Sequence, residues 1–81
     1  MTEAKFNKLT LKDKIQILYQ EGTFMVAIRY YGYKVNLYML DGFYVEVFYN
    51  HKWDKIELIE ILDKHHSRMK FYLDQIQLPK I

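Results

Sequence analysis

Glu46 is the only acid inside the three alternating runs that stretch from Thr23 to Tyr49. A carboxylate placed there has two uses. It can pair across a sheet with Lys34 or Arg29, a contact worth about 0.2–1 kcal/mol. It can also serve as a general acid, which demands a raised pKa and an enclosed site. Nothing in the sequence encloses it, so the ion pair is the simpler reading. Arg29 and Asn36 accompany it, and Tyr38, Tyr44 and Phe48 supply an aromatic surround. A few convergent polar groups inside an apolar rim are the usual make-up of a ligand or partner site. A solvated sheet face accounts for the same residues, because Tyr, Lys, Asn and Glu are ordinary there.

Other chemistries find less support. His65 and His66 are adjacent and would diverge by about 100° on a helix, while His51 falls in a loop between patterned segments. No HxxxH or HExxH spacing occurs, so no metal and no cofactor is expected. Ser67 is the single serine and has no glycine elbow around it. The three glycines, at 22, 32 and 42, are too dispersed for a phosphate loop. An enzyme is not expected.

The elements that must position these residues are legible from period and punctuation. Thr10 reads as an N-cap, with Asp13 three positions on completing a weak capping box. Leu11, Ile15, Leu18 and Tyr19 recur at helical spacing and Gly22 stops the pattern, which predicts a helix over 10–21 after a leader at 1–9. Three strands follow. Phe24, Val26, Ile28 and Tyr30 share one parity, as do Tyr33, Val35, Leu37 and Met39, and then Phe43, Val45, Val47 and Tyr49. These three sets must share a face, because a one-residue slip would turn a whole set into water. A two-residue loop at Tyr31-Gly32 satisfies that condition. At the second turn it selects a three-residue loop, Leu40-Asp41-Gly42, with Gly42 at the left-handed position of a G1 bulge. That register leaves Arg29, Asn36, Tyr38, Tyr44, Glu46 and Phe48 together on the opposite, open face.

Residues 55–62, KIELIEIL, admit a fourth strand or the start of a long helix, since Leu58, Leu62, His65, Met69, Tyr72 and Ile76 also fall at heptad-like spacing. The strand is preferred, followed by a helix over 64–77 capped near Asp63 and ending before Pro79. The predicted fold is α+β, in one domain: an antiparallel meander of three to four strands with an N-terminal and a C-terminal helix packed on one face.

Composition bounds the partners. The chain has 81 residues, 51% hydrophobic and 17% aromatic, with no cysteine. So short a chain cannot hide eight Tyr, five Phe and one Trp in its core, and some aromatic surface should remain for a partner. A net charge of +2 with lysines interleaved among acids is mild, so no basic stripe marks a nucleic-acid binder. No apolar run approaches a membrane span and the start, MTEAKFNK, is polar, which makes a cytoplasmic protein the expectation.

The segments KVNLYMLDGFYVEVFYN, KIELIEIL and FYLDQIQL resemble short bacterial proteins of about this length that carry no assigned function. The resemblance covers residues 10–78 and rests on spacing and aromatic placement. It implies a helix, a meander with a fourth strand and a last helix, and it brings no site residues. The functional expectation is therefore a small binding domain that self-associates or docks a protein partner through its Tyr-rich sheet face. Single-stranded nucleic acid or a small ligand on the same face is the alternative, with bases stacking on the rings.

Overall fold

A computed structural model describes residues 1–75. The elements are α1 (Glu3–Asn7), α2 (Leu11–Glu21), β1 (Thr23–Tyr30), β2 (Tyr33–Leu40), β3 (Phe43–Asn50), β4 (Lys55–Leu62) and α3 (Met69–Leu73). The four strands form one antiparallel sheet in the order β1-β2-β3-β4, and the fold is α+β.

Local chemistry sets the boundaries. Thr10 caps α2 by accepting from the Asp13 amide at 3.2 Å, and Thr2 caps α1 in the same way through the Lys5 amide. Gly22 ends α2 in an extended conformation, so its role is close approach: a Cβ there would lie 2.7 Å from the Leu18 carbonyl oxygen. Residues 55–62 form the fourth strand, and the heptad-like spacing through Leu58 and Leu62 is incidental.

Both tight turns have two residues with positive φ, at Tyr31-Gly32 and Asp41-Gly42, as type I′ hairpins require. The second turn overturns the expected three-residue loop. Leu40 faces Phe43, Tyr38 faces Val45 and Leu37 faces Glu46. The parity sets therefore split at β3. Val45 and Val47 join Leu40 and Phe43 in one core with Phe6, Leu18 and Ile59, beneath α1 and α2. Val35 and Leu37 join Tyr44 and Phe48 in a second core with Leu62, Met69 and Tyr72, beneath α3. The helices lie on opposite faces, correcting the expectation of one. Asp-Gly is the strongest local signal for a two-residue turn, and with both faces covered no parity set has to be kept from water.

The C-terminal helix is also shorter than expected. Residues 64–68 are turns rather than helix, and α3 begins at Met69. Asp63 anchors the turns, its carboxylate accepting from the His65 amide at 2.8 Å and its carbonyl from the His66 amide at 2.9 Å. The predicted end at residue 77 lies outside the described residues.

Both sheet edges are blunted. β1 carries a bulge between Phe24 and Val26, and β4 shifts register opposite Phe48 and Tyr49 and carries Lys55, Glu57 and Glu60. Bulges and charges of this kind discourage strand-to-strand pairing between molecules. No helix of the described residues is long and apolar enough to cross a membrane.

Candidate functional site

The six residues expected to share an open face occupy two different faces. Arg29, Asn36 and Tyr38 remain on the α2 side, whereas Tyr44, Glu46 and Phe48 point into the core beneath α3. β3 is the reason. It is an inner strand, buried from Phe43 to Phe48 on both parities, so its side chains in that stretch belong to the two cores rather than to one open face.

Glu46 is 0% exposed. A charge so placed is sustained only by a partner with good geometry. That partner is Arg68 rather than the expected Lys34 or Arg29. Arg68 Nη2 donates to Oε1 at 2.8 Å and Nε donates to Oε2 at 3.1 Å, a bidentate pair. The Tyr72 hydroxyl adds a third hydrogen bond, to Oε2 at 2.6 Å. The guanidinium lies over the rings of Tyr30 and Phe48, 5.5 and 5.6 Å from their centroids. Arg68 and Tyr72 are four residues apart and so lie on one side of a helical turn, which lets both reach a single carboxylate. Three donors and two rings leave Glu46 no oxygen facing a substrate. The cluster fastens α3 to the sheet.

Burial raises the Tyr72 pKa well above the ordinary phenol value, and the hydrogen bond to Glu46 raises it further. A folded-state pKa raised in this way contributes stability that is fully present below the unfolded value of about 10 and is lost as pH rises beyond it. Urea titrations from pH 8 to 11 should show falling stability at the alkaline end, and Tyr72→Phe should flatten that fall. Tyr44, also buried, shifts in the same direction through desolvation, and its hydroxyl has no hydrogen-bond partner among the described residues.

Large apolar side chains meet solvent on both sides of the sheet, among them Phe71 and Leu73 on α3 and Tyr19 and Phe24 on the α2 side. Tyr19 is 90% exposed and Phe24 53%, and Phe24 packs edge-on against Tyr38 at 5.7 Å between centroids. Ile15, Tyr19, Tyr38 and Ile56 border an apolar groove of about 220 Å³ floored by Leu18, Val47 and Ile59. The groove exists because α2 covers the sheet incompletely, leaving Leu11 and Ile15 more than a third exposed and Tyr19 almost fully so, along one line at i, i+4 and i+8. Ala27 stands opposite Asn36, and Arg29 opposite Lys34. Sequence reasoning missed the contributions of Ile15, Tyr19 and Phe24, which it assigned to the core. The signal for Tyr19 was present, since adjacent Leu18 and Tyr19 cannot both point directly inward from a short helix.

No group of three or more His, Asp or Glu among the described residues is arranged to hold a metal ion. The side chains that line the α2 side are aromatic, aliphatic and basic. That side has to be read from its own geometry, because no family model, no curated protein and no solved structure matches the chain.

Proposed function

We propose that this protein is a small interaction domain that docks a second copy of itself through the α2 side of its sheet. The supporting observation is that exposed Ile15 and Tyr19 border an apolar groove, with exposed Phe24 packed against the groove's Tyr38. Exposed apolar surface gathered around a groove marks interaction sites more than scattered single residues do. The blunted edges point to face-to-face packing rather than strand addition. A net charge of +2 on each copy opposes the approach only weakly.

Tyr19→Lys and Phe24→Lys should each shift the sedimentation coefficient from dimer to monomer at high micromolar concentration while leaving the circular dichroism spectrum unchanged. A wild-type chain that sediments as a monomer throughout that range would remove the self-association reading. Steeply salt-dependent binding of a single-stranded oligonucleotide by such a monomer would favour the nucleic-acid alternative.

A further inference from the structure

We propose that the hollow bounded by Arg29, Lys34 and His51 seats a phosphate group of a small ligand. This site uses the cations of the α2 side and not its apolar groove, so it stands independently of self-association. Arg29 and Lys34 face each other directly across the β1–β2 ladder. Like charges in that relation destabilise a sheet. Among the described residues neither has a carboxylate within ion-pairing distance to relieve the repulsion. A local rule broken without compensation inside the fold is characteristic of positions selected for binding.

The surroundings fit an anion. Arg29, Lys34 and His51 open onto a hollow of about 280 Å³ whose remaining lining, Ala27 and Ile28, is apolar and contains no acid. Small Ala27 keeps the floor low. His51 is held against the Tyr49 ring, edge to face at 5.1 Å, and the Tyr49 hydroxyl is in turn engaged by Asp54. Asp54 is thereby turned to the tyrosine, and no ion pair or side-chain hydrogen bond among the described residues engages Arg29, Lys34 or His51. Arg offers a planar fork and Lys a point charge, the pair of donors by which phosphate oxygens are commonly held. The hollow falls just below the range of drug-sized sites, which suits a phosphate and a small appendage.

The test is a titration of the uniformly ¹⁵N-labelled full chain, at constant ionic strength set with sodium chloride. One arm uses inorganic phosphate and a second uses a nucleoside 5′-monophosphate. Saturable amide shifts at Ala27, Arg29, Lys34 and His51 in both arms support the site and show that phosphate alone suffices. Saturation in the second arm only supports it with the nucleoside as a needed appendage. The absence of saturable shifts at these residues in both arms would overturn it. Arg29→Gln with Lys34→Gln should weaken binding by about tenfold or more. The same variant should melt no lower than wild type, because the opposed charges are gone. Unchanged affinity in that variant would also overturn the assignment.

Discussion

Arg68→Met should destabilise the fold by about 3–5 kcal/mol, the typical cost of stripping one partner from a buried ion pair. A chain of this length commands roughly 4–12 kcal/mol in all, so the variant will be close to unfolded at room temperature. The loss comes less from the missing attraction than from Glu46, which keeps its place at the centre of β3 with no cation to face. Adding Glu46→Leu to the same chain should restore most of the stability, since an apolar pair of similar size is often as stable as the buried charges it replaces. Urea denaturation of wild type, both single variants and the double variant measures this directly. A single-variant loss below about 1 kcal/mol would mean that the pair is solvated, as surface pairs are.

Phe48→Lys should abolish folding, whereas Tyr38→Lys should leave a folded domain. Phe48 is 7% exposed, meets the Tyr33 ring edge-on at 5.7 Å and forms part of the bed on which Arg68 rests. Losing such a ring costs about 3–5 kcal/mol before the added ammonium is considered. That ammonium would lie beside a guanidinium. Tyr38 borders the groove and is only partly buried, so a lysine there can carry its charge into water. Thermal melts followed by circular dichroism separate the two cases. Similar losses at both positions would put both rings in the same environment, contrary to the register across the Asp41-Gly42 turn.

That register marks the boundary of what could be read from the sequence. Strand periodicity, the Thr10 cap and the fourth strand at 55–62 are local properties, and the structure reproduces them. The parity argument assumed one buried face. It failed at β3 because a strand covered on both sides carries no alternation to read, and Val45, Glu46 and Val47 are all buried. The turn residues held the better information, since Asp41-Gly42 names a two-residue hairpin whatever the strands prefer. Arg68 was missed for another reason. It lies 22 residues from Glu46, in a stretch read as plain helix. The usable clue was scarcity: the chain has two arginines, and one of them stands four residues before a tyrosine on a short amphipathic turn. A buried acid on an inner strand requires such a partner.

Self-association through the α2 side, where Tyr19 and Phe24 are exposed, is the central proposal. The most direct measurement is a dilution series of amide spectra, from high to low micromolar concentration, on the ¹⁵N-labelled wild-type chain. Self-association as described predicts concentration-dependent shifts confined to Ile15, Tyr19, Phe24, Tyr38 and their neighbours. Spectra that do not change on dilution, or shifts that gather instead around Tyr33, Phe71 and Leu73 on the α3 side, would contradict it.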